Sequence, residues 1–518
     1  MKSSSRLLMI GLDAAELTLV RAWIAEGHLP VMGRLLARGS LTTLTSTAHW
    51  LVGAPWPCFY TSRPPESVGM YHYLVWRPEL MNAQRPAPDW LPLEPFWREL
   101  PRAGCDVIAL DIPLCYAPGE YGGVEVSGWA THELLQGPGS TPPALLEEVR
   151  REFGVAPFDD EASHQLSAAE CLEVRDQCVE TARRVGELAA RLLERHPWRL
   201  GMIAFSSTHR GGHMLWDRSI LKGSATAAQL AEFDVALRGV YAACDSALGR
   251  ILGAHEDAAV MVYALHGMGA NNDCTSLLST LLTRVLAARP VDADTRIHAR
   301  GLAARLRVMV PDEWRARVKK RLPQRLQDWL TLYWRTSPHA QDWSRTQAFV
   351  VFCDLDGYIR INLQGREREG VVSPADYPAL CERVAAGLRS FRDADTGEPL
   401  VREIGFAHAL FNDEPRRRHL PDLIVKWHEV AAHTHRRVVS DEFGALDWPT
   451  PGRHPLGRSG SHHREGFLIA AGPGLEAGEL AIHGTTLDLA PTALDVLGMP
   501  IPEQFCGHSL RRAETPVA

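Results

Sequence analysis

His209 and His213 stand four residues apart in the run SSTHRGGH, directly after the apolar segment Arg199–Phe205. One turn of helix places residues i and i+4 on the same face, so two imidazoles at this spacing can reach one cation. Asp13 closes the apolar run Arg6–Leu12, and His266 follows Ala258–Leu265 in ALHGMG. His462 and His463 stand side by side in GRSGSHHREG, just before FLIAAGPG. Carboxylates and imidazoles suit cation binding and proton transfer. A single polar residue at a strand end usually serves structure, but four such places in one chain point to a shared site. A second imidazole pair, His433 and His435, falls in HEVAAHTHRR, where the charged neighbours predict an exposed loop.

The elements that must hold these residues are legible in outline. Arg6–Leu12 predicts a buried parallel strand, followed by helical patterns over Glu16–Glu26 and Val31–Arg38. Asp106–Ile112, Val124–Ser127, Arg199–Phe205 and Ala258–Leu265 read as further strands, and Ala168–Glu194 and Ala225–Leu252 as helices. Trp50–Pro65, rich in Gly and Pro, reads as loop. Strands return at Ala348–Phe352, Tyr358–Leu363, Leu423–Trp427 and Gly466–Ala470, with helices over Pro374–Phe391 and Asp488–Leu497. This alternation predicts an α/β fold with a doubly wound, mostly parallel sheet. Ligands bind such sheets beyond the C-terminal strand ends, which is where Asp13, His209, His213 and His266 fall. Between Arg284 and Arg335 thirteen Lys/Arg stand against five Asp/Glu. That shift predicts an inserted helical cap over 279–344, with a solvated basic face. It separates a first core part, 1–278, from a second, 345–518.

The 518 residues are 45% hydrophobic and 23% charged, with a net charge of −7. Disordered and collagenous chains are excluded, and so is a nucleic-acid binder that relies on overall basic charge. Ten cysteines are scattered with no CxxC pair, which predicts a reducing compartment. The opening MKSSSRLLMIGLD runs into a strand-like segment with no signal peptide or long apolar span after it. The expectation is a cytoplasmic chain with no membrane partner. The 22 histidines are notable less for their number than for the few at strand ends.

The order of MIGLDAAE, GAPWPCFYTSRPPESVGMY, THRGGHMLW, ALHGMG, GYIRINLQGRE, SHHREGFLIAAGPG and DLAPTALDVLGMPIPEQFCGHSL resembles the alkaline phosphatase superfamily. The similarity is to its type I phosphodiesterase/nucleotide pyrophosphatase branch, which includes phosphohydrolases and phosphomutases. It covers most of the chain and implies two metal sites bridged at a transferred phosphoryl group. One family site uses an Asp-x3-His pair and a C-terminal His; carried over, these positions hold His209, His213 and His462. The other uses the first-strand Asp, a Ser or Thr nucleophile and an Asp-His-Gly run, of which Asp13 and His266 are kept.

The departures redirect the chemistry. The nucleophile position, nine residues before Thr61, holds Val52, which has no nucleophilic atom. Leu265 replaces the Asp of Asp-His-Gly, and Ser62 replaces the Gly after Thr61. Asp273 is the candidate to complete a second site with Asp13 and His266. At the first site His209 stands in place of the Asp and makes a three-histidine set, which suits one catalytic zinc with an open position. The expectation is a single-metal hydrolase or group transferase on a phosphate-type or related anionic ester. Asp13 and His266 would act there in proton transfer or substrate positioning. Arg63, Cys58 and Thr61 are candidate substrate contacts. The PCFYTSR run lacks the Pro and Arg spacing of a sulfatase motif, and Arg360, Arg366 and Glu367 are expected to be structural. The alternative is a catalytically lapsed relative that binds a ligand or partner in the same pocket.

Overall fold

Leu7–Leu12 is LLMIGL with every residue buried, and Leu200–Phe205 and Ala259–Ala264 are buried throughout as well. Strands of this kind need neighbours on both edges and cover on both faces. The computed structural model describes residues 6–132, 134–157, 165–287, 322, 326–327, 342–351, 355–454 and 457–511. Most of the cap expected over 279–344 lies outside the described residues. The chain divides into two units: Met1–Tyr73, Pro86–Ala270 and Gly457–Ala518 form the first, and Leu74–Arg85 with Asn271–Leu456 the second.

In the first unit the strands are β1 (Leu7–Leu12), β2 (Ser40–Thr45), β3 (Val107–Leu110), β4 (Val124–Ser127), β5 (Gly139–Thr141), β6 (Leu200–Phe205), β7 (Ala259–Ala264), β8 (Gly267–Ala270), β9 (Gly460–His463), β10 (Glu465–Ala471) and β11 (His483–Thr485). Nine form one sheet in the order β11-β2-β10-β7-β1-β6-β3-β4-β5, and β8 pairs with β9 apart from it. β1 lies between β6 and β7, parallel to both, with Leu7 opposite Leu200 on one side and Ala259 on the other. Only β10 and the edge strand β5 run against their neighbours. The sheet is therefore mostly parallel, with helices on its faces, as expected.

Helices Ala168–Arg195 and Ala236–Leu252 contribute Val185, Leu188, Val240 and Leu248 to the core that includes Leu8, Ile10, Ile203 and Val262. The first is capped by Ser167 and Glu170, which satisfy each other's backbone N–H groups. Two sequence expectations change here. The helix expected over Ala225–Leu252 is two helices, Ala227–Asp234 and Ala236–Leu252, meeting at Val235. The stretch expected as loop contains the helix Pro55–Thr61. Pro at its first turn is compatible with helix because the N–H it lacks would be unpaired there anyway.

The second unit carries an antiparallel sheet in the order Ala348–Val350, Gly357–Ile361, Leu423–Trp427, Val401–Phe406. Helices Thr275–Ala287 and Tyr377–Arg389 share its core, where Leu281, Val384 and Leu388 meet Ile359 and Val425. Arg360 and Glu367 are fully buried and paired at 2.5 Å, and Arg366 binds both Glu367 and Asp422. These charges are structural, as expected. His435 is not on an exposed loop: it is buried, with Nδ1 2.6 Å from Asp393 Oδ2. Among the described residues no helix is long and apolar enough to cross a membrane.

Candidate metal centre

The C-terminal ends of β1, β6 and β7 deliver the site. The chain leaves β1 at Asp13, and Ala14 follows in the left-handed region at φ 53°. That conformation strains a residue with a Cβ and is tolerated where the surroundings enforce it. The Asp13 N–H donates to Phe205 O, and the Thr208 hydroxyl donates to Asp13 O at 2.6 Å. β6 leads straight into the helix Ser207–Leu215, buried along its whole length, which carries His209 and His213. Two glycines let this helix sit deep. A Cβ on Gly212 would meet Met268 Cε at 2.7 Å, and one on Gly460 would meet Gly212 O at 2.1 Å. The close approach brings β9, and His462 on it, against the helix. In the β8–β9 pair Met268 lies opposite His462. Glu16 Oε2 accepts the Met268 N–H at 3.3 Å, tying the loop after β1 to that pair.

His209, His213 and His462 converge through their Nε2 atoms. The separations are 2.8 Å for His209–His462 and 3.1 Å for His213–His209 and for His462–His213. His213 Nδ1 lies 2.8 Å from Gly460 O. A carbonyl only accepts, so Nδ1 carries the proton and Nε2 presents its lone pair. One ring nitrogen cannot donate and accept at once, so three converging Nε2 atoms cannot satisfy one another by hydrogen bonds. A cation at about 2.0–2.1 Å from each nitrogen would satisfy all three together. The donors are neutral nitrogens, and one ligand is oriented by a backbone carbonyl, as metal-binding imidazoles usually are. The residues present therefore fit a metal ion that takes nitrogen ligands. Burial, and then the neighbouring imidazoles, hold His209 and His462 well below the ordinary imidazole range, in the neutral form that ligation requires.

His266, Asp13 and a residue not singled out from sequence surround this triad. The His266 ring meets His462 edge to face at 4.5 Å. Its pKa is pushed down to about 3, chiefly by burial and then by His213 and His132. Asp13 is buried, its Oδ1 accepting the Trp56 indole N–H at 2.9 Å. Asp13 Oδ2 lies 3.7 Å from His132 Nε2, and the His132 ring stacks on His209 with centroids 4.0 Å apart. Potential ligand atoms of Asp13, His132 and His209 also lie within 4.8 Å of one another. His132 lies five residues past β4, and that position was its only signal in the sequence.

The remaining sequence candidates are placed as follows. Val52 is half-buried in the turn before the helix Pro55–Thr61, and Leu265 is buried at the end of β7. Cys58 is fully buried in that helix, where burial pushes its thiol far above the ordinary range. The Thr61 hydroxyl donates to Pro57 O at 2.6 Å within the same helix. Arg63, just beyond, is half-buried. Ser62, at φ 48°, ends the helix. Asp273 belongs to the second unit, where its carboxylate accepts the Thr275 N–H at the start of Thr275–Ala287. His463 is half-exposed.

Several solved structures are similar in fold. Phosphonoacetate hydrolase from Sinorhizobium meliloti 1021, in complex with phosphonoacetate, is 13% identical, with 96% of each chain covered and a TM-score of 0.49. Murine ectonucleotide pyrophosphatase/phosphodiesterase 5 is 12% identical over 96% of each chain, with a TM-score of 0.45. The human form is 11% identical over the same shares, with a TM-score of 0.42. No curated protein sequence matches the chain. The sequence model of the type I phosphodiesterase/nucleotide pyrophosphatase family matches residues 7–429. Its span takes in Asp13, His132, His209, His213 and His266, and the chain belongs to that family.

Proposed function

We propose that this protein is a metal-dependent hydrolase or group transferase acting on a phosphate-type or related anionic ester through one resident metal, of which zinc is the best fit. The observation that carries the reading is the convergence of the His209, His213 and His462 Nε2 atoms within 2.8–3.1 Å. Nitrogen-only ligation favours zinc over magnesium or calcium, which prefer oxygen. When bound, such an ion supplies Lewis-acid polarisation of an ester oxygen or of a water.

The chain's own residues supply the rest. Val52 and Leu265 stand where the family resemblance implies a hydroxyl nucleophile and a carboxylate, so no side chain at those positions attacks or ligates. Asp13, anchored by Trp56, presents one carboxylate oxygen toward His132. His266, held neutral by burial, would accept a hydrogen bond from substrate. With three neutral imidazoles and a single carboxylate, a divalent ion leaves the site net positive, which favours an anionic substrate. The scattered cysteines, with no CxxC pair, support a cytoplasmic location.

Val52 and Leu265 also favour a second reading, a lapsed enzyme that binds an anionic ligand without turning it over. A panel of phosphomonoesters, phosphodiesters, sulfate esters and phosphonates, assayed with added zinc, separates the two. Turnover that His209→Ala abolishes supports the enzyme. Zinc binding with no turnover on any member of the panel supports the lapsed reading. A protein that binds no metal overturns both the metal assignment and the hydrolase built on it.

A further inference from the structure

His132 was not identified from sequence, yet it touches two residues of the site. Its ring stacks on His209 with 4.0 Å between centroids and 20° between planes. Its Nε2 faces Asp13 Oδ2 at 3.7 Å. A metal lies in the plane of each imidazole that binds it. Two nearly parallel rings 4 Å apart have separate planes, so His132 and His209 cannot both ligate one ion in these orientations. The stacking instead restricts His209. The terminal torsion of a histidine is broad and roughly two-fold, and a flat neighbour on one face of the ring narrows it.

The segment carrying His132 is itself held firmly. Asp111, directly after β3 and at φ 54°, accepts the Trp129 and Ala130 N–H groups through its two carboxylate oxygens, both at 2.8 Å. The Trp129 indole N–H donates to Gly154 O at 3.0 Å. The Thr131 and Ser206 hydroxyls meet at 3.2 Å, joining the segment to the residue before the His209 helix. Backbone clamp, hydroxyl bridge and ring stack thus follow one another over four consecutive residues.

We propose that His132 is a positioning residue for the metal centre: its ring sets the plane of the His209 imidazole, with Asp13 beside its Nε2. The inference rests on the three-histidine metal site of the proposed function and adds a residue that the ligand set does not contain. Outer partners of metal ligands typically contribute about 10–100-fold in metal affinity.

The test is zinc affinity by chelator competition, with the visible spectrum of the cobalt-substituted protein as a second readout. His132→Phe keeps a flat ring and removes both nitrogens; His132→Ala removes the ring. Thermal unfolding of the metal-free variants establishes that each is folded. The expected result is that His132→Ala loses about 10–100-fold in zinc affinity and shifts the cobalt bands, while His132→Phe stays close to the parent in both. Unchanged affinity and spectrum in His132→Ala would overturn the positioning role while leaving the three-histidine site standing. A parent that binds two ions, with one lost in His132→Phe, would make His132 a ligand and overturn the proposal. Failure of the parent to bind zinc would show instead that the underlying metal assignment is wrong. If His132→Ala does not fold, His132→Phe decides alone: parent-like affinity and cobalt bands support the stack, and a large loss in either overturns it.

Discussion

The Nε2 atoms of His209 and His462 stand 2.8 Å apart, although 253 residues separate them in the chain. Helix Ser207–Leu215 and strand β9 meet backbone to backbone at Gly212 and Gly460, and that contact makes the approach possible.

Gly460→Ala would drive a Cβ to 2.1 Å from Gly212 O, and a backbone atom cannot swing aside as a flexible side-chain tip can. The helix and strand should separate, costing about 1–3 kcal/mol as overpacking does. Zinc affinity should fall at least ~10-fold, because His462 and the carbonyl that orients His213 both ride on β9. Chelator competition and thermal unfolding measure the two effects. Parent-like values in both would show that the close approach is unimportant.

The metal-free protein should lose stability on mild acidification. Burial depresses the His266 pKa from 6.5 to about 3, so the unfolded chain takes up its proton first. The stability this group contributes is full above pH 6.5 and declines as pH falls toward 3, by at most about 1.4 kcal/mol per pH unit. His209 and His462 shift in the same direction. Melting temperatures of apo protein should drop between pH 7 and pH 5, and more shallowly in His266→Leu. A melting temperature independent of pH in this window would contradict the buried neutral state.

Restoring the residues implied by the family resemblance should change the metal count. Val52→Thr with Leu265→Asp is expected to raise bound zinc from one equivalent to two, read by elemental analysis. Leu265→Asp alone, without added metal, places a carboxylate at a buried position and should cost on the order of 3 kcal/mol. Two equivalents already present in the parent would refute the single-metal reading.

In the second unit, Glu367→Ala leaves the buried Arg360 guanidinium without its carboxylate partner and takes the acceptor from the Trp76 indole N–H. Breaking a buried pair from one side costs about 3–5 kcal/mol. Chemical denaturation should show a loss of this size. A change below about 1 kcal/mol would mean that water or the backbone replaces the carboxylate without penalty.

The parallel core was legible because its strands are apolar from end to end, as LLMIGL and AVMVYA are. Glycine and proline content misled at Pro55–Thr61, since proline in a first turn is no obstacle to helix. His435 looked exposed because its neighbours in sequence are charged, but its partner Asp393 lies 42 residues away, which no local pattern reports. His132 escaped for the same reason: what distinguishes it is a ring stack and a carboxylate from two other segments.

The amino-acid order by itself determined the α/β alternation and the strand ends that carry Asp13, His209, His213 and His266. These are local properties, written in hydrophobic period and residue type. Only the tertiary structure decided that three Nε2 atoms share one point, that Cys58 is sealed away, and that His132 lies flat on His209. Such contacts depend on how segments far apart in the chain pack, and an approach of a few ångströms is set by glycines and strand register rather than by any single stretch of sequence.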